Sequence, residues 1–518
     1  MQRRNEPGSL NAGPSASIPG TGMVSRIPTR PSRPRIDLTW THGEENRDRM
    51  NMNARPNLLF ILTDDHAAHA ISAYGSRVNQ TPNLDRIADN GIRMDSAFCT
   101  NGICTPSRAA ILTGTYNHVN GVTTLDTPLD NSLWTFPQAL QDAGYATGLI
   151  GKWHLGHGPN HDPVGFDFWR VLPGQGHYHN PVMIEEGGRI VERGGYVTDL
   201  ITDDSIEFID DHADRPFALF CHHKAPHRTW EPAARHFTMY DDVDIPEPST
   251  LRDDLNGRSD VIKAMRMHMM DLDPITDLNA VVPEGLTEDE EIAWRYQRYM
   301  RRYLGVIAAV DESVGRLLDH LDEHGLLDNT IVVYTSDQGF FLGDHGWFDK
   351  RLMFEESLRM PLLMQYPNRI APGSISDDIV VNVDFGPTLL ALMGVEIPEH
   401  VQGRSFAPIL EGDTPDDWPE SMYYRYWMHR DSAHNCPAHY GVRTNTHKLI
   451  CYYNDPLGQV GAHGPVDPIE WELYDLVADP LEVNNVIDDP EYQKIRAELS
   501  AELARLQREV GDAPYPGT

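Results

Sequence analysis

Asn57-Leu58-Leu59-Phe60-Ile61-Leu62-Thr63-Asp64-Asp65 is a short apolar run that follows a polar stretch and ends in three oxygen-bearing side chains. A run of this length predicts a strand rather than a helix. Similar runs recur at Tyr145 to Ile150, Phe217 to Cys221, Thr330 to Thr335 and Pro361 to Gln365. Longer amphipathic stretches separate them, at Asn83 to Asn90, Pro106 to Thr113, Thr198 to His212, Glu288 to His324 and Asp384 to Met393, and read as helices. Alternation of this kind predicts an α/β fold whose large sheet is mainly parallel and sandwiched by helices.

Away from this core the pattern changes twice. Residues 241 to 287 are acidic, Met-rich and punctuated by proline, and read as an insertion with little sheet character. After Asp416 come shorter strand-like pieces, Met422 to Trp427, Tyr440 to Thr444, Lys448 to Tyr453 and Glu472 to Asp475, then a helix from Glu491 to Val510. They predict a smaller C-terminal α+β subdomain over residues 416–518, with the main domain over residues 56–415. Residues 1–55 are rich in Pro, Gly, Ser, Arg and Asn, and read either as a disordered tail or as sequence upstream of a mis-set start codon. They lack the apolar core of a secretory signal, so a cytoplasmic location is expected.

Composition narrows the partners. The chain has 518 residues with 43 Lys plus Arg against 77 Asp plus Glu, a net charge of −34, which repels nucleic acid. It has no apolar run near the roughly 20 residues that a membrane-spanning helix needs. Neither nucleic acid nor membrane is an expected partner. Five cysteines without a CxxC pair make neither a disulfide framework nor a zinc site.

Ligands of open α/β sheets bind beyond the carboxyl ends of the strands. Two of the predicted strands end there in Thr63-Asp64-Asp65 and Ser336-Asp337-Gln338-Gly339. Either Asp alone reads equally well as a turn or a helix cap. Together, Asp64, Asp65, Asp337 and Gln338 form a hard oxygen set suited to Ca²⁺ or Mg²⁺. The segment Cys104-Thr105-Pro106-Ser107-Arg108-Ala109-Ala110-Ile111-Leu112-Thr113-Gly114 places a cysteine at a predicted helix start, where free N–H groups attract anions, with Arg108 one turn on.

The CTPSR and LTG elements of that segment match the signature of formylglycine-dependent sulfatases. From about Arg55 to the C-terminus the chain resembles the type I sulfatases of the alkaline-phosphatase superfamily. The resemblance recurs in order at Asn57 to Asp65, at Gly151-Lys152-Trp153-His154-Leu155-Gly156, at Lys224-Ala225-Pro226-His227, and from Ser336-Asp337-Gln338-Gly339 to Phe348-Asp349-Lys350. Gln338 departs from the Asn or His of many members, but its amide oxygen is still a possible ligand.

The resemblance implies that a separate formylglycine-generating maturation enzyme oxidises Cys104, and that the hydrated product attacks sulfur. It implies Ca²⁺, with Mg²⁺ possible, held by Asp64, Asp65, Cys104, Asp337 and Gln338. Arg108, Lys152 and Lys350 line the sulfate site, where each pre-set electrostatic group contributes on the order of 3 kcal/mol to the transition state. His154 matches the base that releases sulfate. His227 matches the acid for the leaving group, with Lys224 beside it as a substrate contact. His177 and His179 in the loop Gly176-His177-Tyr178-His179 are candidate substrate contacts, and His66, His69, His118 and His345 are read as structural or substrate-facing. Gly343 to Lys350, Glu355 to Pro361 and the C-terminal Trp471-Glu472-Leu473-Tyr474-Asp475-Leu476 look most like sulfatases of sulfated carbohydrates, particularly N-acetylglucosamine-6-sulfatases and glycosaminoglycan sulfatases. The expected partner is therefore a small sulfated substrate. Two alternatives stay open: a phosphonate or phosphate monoester hydrolase on the same scaffold, and a non-catalytic sugar-binding relative.

Overall fold

The computed structural model describes residues 55–76 and 78–518. The readings made for residues 1–54 lie outside them. The central sheet has ten strands. Its middle is parallel: Thr330–Ser336, Asn57–Thr63, Phe217–His222, Ala146–Lys152 and Phe168–Leu172 lie side by side in that order.

Side chains of Asn57–Thr63 divide by the two-residue period of a strand. Leu58, Phe60 and Leu62 enter the apolar core on one face, and Leu59 and Ile61 the core on the other. The helices Val197–His212 and Glu288–Glu323 pack on one face. Cys104–Thr113, Phe136–Asp142 and Phe385–Leu392 gather on the other. Thr287 starts the 36-residue helix with a capping box closed by Glu290, a feature that contributes about 1 kcal/mol.

The edges differ from the sequence reading. Leu362–Gln365 runs antiparallel to Thr330–Ser336 and to Ile92–Met94, so the run at Pro361 to Gln365 is a strand but not a parallel one. At the other edge Val182–Glu185 and Arg189–Glu192 form an antiparallel extension. The insertion at 241–287 contains one short helix, Asp260–Lys263, a 3-10 turn at Met269–Asp271 and no strand. Met265, Met267 and Met269 are buried while Met270 is exposed.

The C-terminal part is a four-stranded antiparallel sheet in sequential order, Ser421–Tyr426, His439–Thr444, His447–Tyr452 and Glu470–Asp475. The helix Gln493–Val510 packs across it through Leu499, Leu503 and Leu506. No helix among the described residues is long and apolar enough to cross a membrane.

Candidate active site

Strand register assembles the site. Thr63 pairs with Ser336 on the neighbouring parallel strand, so the residues that follow each of them leave the sheet side by side. The Asp337 amide donates to Thr63 O at 3.2 Å, and the Asp65 amide donates to Asp337 Oδ1 at 3.2 Å. Asp65 has φ +68°, in the left-handed region that short polar side chains tolerate better than most. The Tyr303 hydroxyl donates to Asp65 O at 2.7 Å and holds that turn. Gly339, next to Gln338, is required sterically: a Cβ there would stand 2.1 Å from Glu356 O.

The helix Cys104–Thr113 is buried along its whole length and ends at Gly114, whose φ of +62° makes a left-handed cap. Arg108 Nε donates to Asp337 Oδ2 at 2.9 Å and Nη1 to Lys152 O at 3.0 Å, while Nη2 lies 3.8 Å from Asp64. Ser107 Oγ donates to Asp337 O and accepts from Asn382 Nδ2. The helix is thereby fastened to the end of the second acidic strand. Cys104 is 1% exposed, and burial pushes its thiol up to about 11, so it is protonated at neutral pH.

Cations surround the carboxylates. Lys152 Nζ meets Asp64 Oδ2. Lys350 Nζ lies 2.6 and 2.8 Å from the two oxygens of Asp65. Burial works against the Lys350 charge, but Asp65 and Asp349 outweigh it and hold the ammonium above its usual range. Asp65 itself is pushed up to about 6 by burial, with Lys350 opposing. His227 Nε2 is 3.8 Å from Asp65 Oδ2, and its Nδ1 donates to Arg228 O. Burial, then the three lysines 152, 350 and 224, hold His227 well below the usual imidazole range, so it is neutral. Lys224 Nζ donates to the same Arg228 carbonyl at 3.3 Å and is pushed down to about 8 by burial. His154 is held low by burial and then by Lys152, and its Nδ1 is 3.3 Å from Thr105 Oγ1 beside Cys104.

The oxygen set fits a hard divalent cation. Asp64 Oδ1 and Gln338 Oε1 are buried and accept no hydrogen bond, and Gln338 Nε2 donates to Asp65 Oδ1. Ligand atoms of Asp64, Asp65 and His227 lie within 4.8 Å of one another.

Eleven of the candidate residues therefore converge: Asp64, Asp65, Cys104, Arg108, Lys152, His154, Lys224, His227, Asp337, Gln338 and Lys350. His177 and His179 do not join this cluster; both are exposed, and His179 packs against Tyr196 with ring centroids 5.2 Å apart. Gln175 enters instead, accepting from Lys152 Nζ through its Oε1. A polar residue between Gly174 and Gly176 just beyond a strand was its only signal in the sequence. Tyr178 also contributes, its hydroxyl donating to His227 O at 2.6 Å and its ring lying 4.7 Å from Lys224 Nζ. Asp277 of the insertion holds Arg228 through contacts of 2.5 Å to Nε and Nη2. His66 is structural, its Nδ1 2.6 Å from the Tyr334 hydroxyl.

Paired carboxylates and several buried cations at one point beyond the carboxyl ends of a parallel sheet suit the hydrolysis of an anionic ester. A family model described as Sulfatase matches residues 56–395, and one described as N-sulphoglucosamine sulphohydrolase, C-terminal, matches residues 343–509. The chain belongs to the sulfatase family, and it is a sulfuric ester hydrolase. An N-acetylglucosamine-6-O-sulfatase of Bacteroides thetaiotaomicron is 43% identical over 507 residues, covering 88% of this chain and 87% of that protein. A solved structure of a protein in complex with its substrate D-glucosamine-2-N,6-O-disulfate is 42% identical with a TM-score of 0.83, covering 88% of this chain and 98% of that one. The multifunctional alkaline phosphatase superfamily protein PehA of Trinickia caryophylli is 27% identical over 85% of this chain and 92% of its own.

Proposed function

We propose that this sulfatase hydrolyses the 6-O-sulfate ester of a glucosamine-type sugar, free or at the end of a glycosaminoglycan fragment. The observation that carries this reading is the 43% identity to an N-acetylglucosamine-6-O-sulfatase across nearly the whole of both chains. Similarity to the structure solved with a disulfated glucosamine supports it. The complete catalytic set argues against a non-catalytic sugar-binding role, since a binding module has no need of Cys104, Lys152, His154, His227 and Lys350 together.

In this reading Cys104 is the residue converted to formylglycine. An unmodified thiol held near 11 is a poor nucleophile at neutral pH, and sulfur is a soft partner for a hard oxygen-ligated cation. Formylglycine would supply a hydrated aldehyde there, one hydroxyl to displace the sugar oxygen from sulfur and a second whose deprotonation would re-form the aldehyde and release sulfate. Asp64, Asp65, Asp337 and Gln338 would hold Ca²⁺ or Mg²⁺, which when bound neutralises sulfate charge and favours ionisation of the nucleophile.

The chain's own groups do the rest. Arg108, Lys152 and Lys350 offset the negative charge of the sulfuryl group. His154, held neutral by burial and its cationic neighbours, carries a free lone pair and takes the proton from the second hydroxyl. His227 faces the leaving oxygen. Its ring is neutral in the free site, and an anionic substrate beside it raises its proton affinity. Lys224 on the same carbonyl keeps its proton at neutral pH, so the pair holds the proton that a sugar alkoxide requires.

The test is a panel of defined sugars carrying sulfate at one position, assayed with protein co-produced with a maturation enzyme. Fastest turnover is expected for 6-O-sulfated glucosamines, with aldehyde in the Cys104 peptide by mass spectrometry and no activity for Cys104→Ala. Preference for another sulfate position, or for phosphonate monoesters, would overturn the substrate assignment. Full activity with Cys104 still a thiol would overturn the nucleophile.

A further inference from the structure

We propose that Asp210, His320 and His324 form a second metal site, one for a borderline divalent transition ion of the zinc and nickel class. It is separate from the reaction centre and stabilises rather than catalyses. His320 and His324 stand one turn apart at the end of the helix Glu288–Glu323, where residues four apart share a face. Asp210 comes from the last turn of the neighbouring helix Val197–His212. A ligand atom of each of the three lies within 4.8 Å of the others.

One of the two imidazoles is already set for this task. His324 Nδ1 donates to His320 O at 2.8 Å, which fixes the tautomer and leaves the lone pair on Nε2. His320 Nε2 is 2.8 Å from Asp210 Oδ1 and takes up the ion after its proton shifts to Nδ1. The two imidazoles lie with centroids 4.2 Å apart, and His320 is mostly buried with its side chain 14% exposed, so little side-chain entropy remains to be lost on binding. Donors around a tetrahedral zinc stand about 3.3 Å apart, which requires only a small closing of the triad.

The surroundings favour a cation. Both helices end here, and their partial negative poles point at the cluster. Glu207 and Asp211 border a cleft together with Asp210. Arg316, the cation of that cleft, is occupied by Asp203 at 2.6 Å. Two imidazoles and one carboxylate select zinc, nickel, cobalt or copper over Ca²⁺ and Mg²⁺. A short turn leads from His324 into the strand Thr330–Ser336, and Asp337 lies past the other end of that strand, about 20 Å along by strand rise. An ion at the triad therefore touches neither substrate nor nucleophile.

The experiment uses the full chain with Ca²⁺ in excess, so that the acidic cluster at Asp64 and Asp65 is shielded from the added metal. Titration with Zn²⁺ is expected to show one site by calorimetry and to raise the melting temperature. Co²⁺ is expected to give visible absorption of a nitrogen–oxygen site. His324→Ala and Asp210→Asn, both at exposed positions, should weaken Zn²⁺ binding on the order of tenfold or more and remove the Co²⁺ signal, with sulfatase turnover unchanged. Absence of Zn²⁺ binding to the parent protein, or binding and Co²⁺ absorption that persist in both variants, would overturn the assignment.

Discussion

Asp277 grips one edge of the Arg228 guanidinium, at 2.5 Å to Nε and 2.5 Å to Nη2, reaching in from the acidic insertion to do so. The carbonyl of that same Arg228 receives the protons of His227 Nδ1 and Lys224 Nζ. In the proposed mechanism the insertion therefore positions the leaving-group pair through Arg228.

Asp277→Asn should therefore imitate a milder loss of His227. Turnover of a sugar sulfate is expected to fall about tenfold while that of nitrophenyl sulfate, whose leaving group needs little protonation, changes less than about twofold. Equal losses on both, measured as kcat, would assign Asp277 a purely structural role.

His227→Ala should show the same selectivity more strongly, about 10² to 10⁴ on the sugar ester and far less on the aryl ester. Steady-state kinetics on the two substrates decides it. A uniform loss would remove His227 from proton donation and leave Lys224 as the donor.

Chelation should abolish turnover and lower the melting temperature, and Ca²⁺ or Mg²⁺ should restore both. Without the ion only Arg108, Lys152 and Lys350 remain to offset Asp64, Asp65 and Asp337 at one buried point. Zinc is expected to raise the melting temperature without restoring turnover. Recovery of activity by zinc alone would contradict a hard oxygen site.

Asp384 gives stability a pH dependence remote from catalysis. It is buried, accepts from the amides of Val381 and Arg404, and is pushed up to about 7 by that burial. In the unfolded chain an Asp releases its proton near 4. Its contribution is thus complete below about pH 4 and is lost as pH rises to about 7, on the order of a few kcal/mol. Asp384→Asn should flatten the melting-temperature profile across that window; an unchanged slope would show that other groups set it.

The parts of this protein that sequence disclosed are those with local physical signatures. Asp64 and Asp337 were legible because each terminates an apolar strand, and Cys104 because Pro106 and Arg108 mark a helix start with an anion-facing side. The antiparallel edge strand Arg189–Glu192 escaped because it is largely exposed and carries no apolar run. Asp277 escaped because nothing near it in the chain differs from any acidic loop; its meaning lies in a partner 49 residues away. His177 and His179 stand exposed outside the cluster, and in that loop it is Gln175 that faces Lys152.

Cys104, 1% exposed on a helix with all ten residues buried, also carries a consequence in time. No other protein can reach its sulfur once the helix is clamped against Asp337, and Asp337 follows a strand synthesised long after residue 104. The proposed conversion to formylglycine must then take place on an open chain, before the later strand docks. Sulfatase yield in a cell would be set by a race between folding and the maturation enzyme, and a variant that folds faster would emerge with a larger share of its molecules permanently inert.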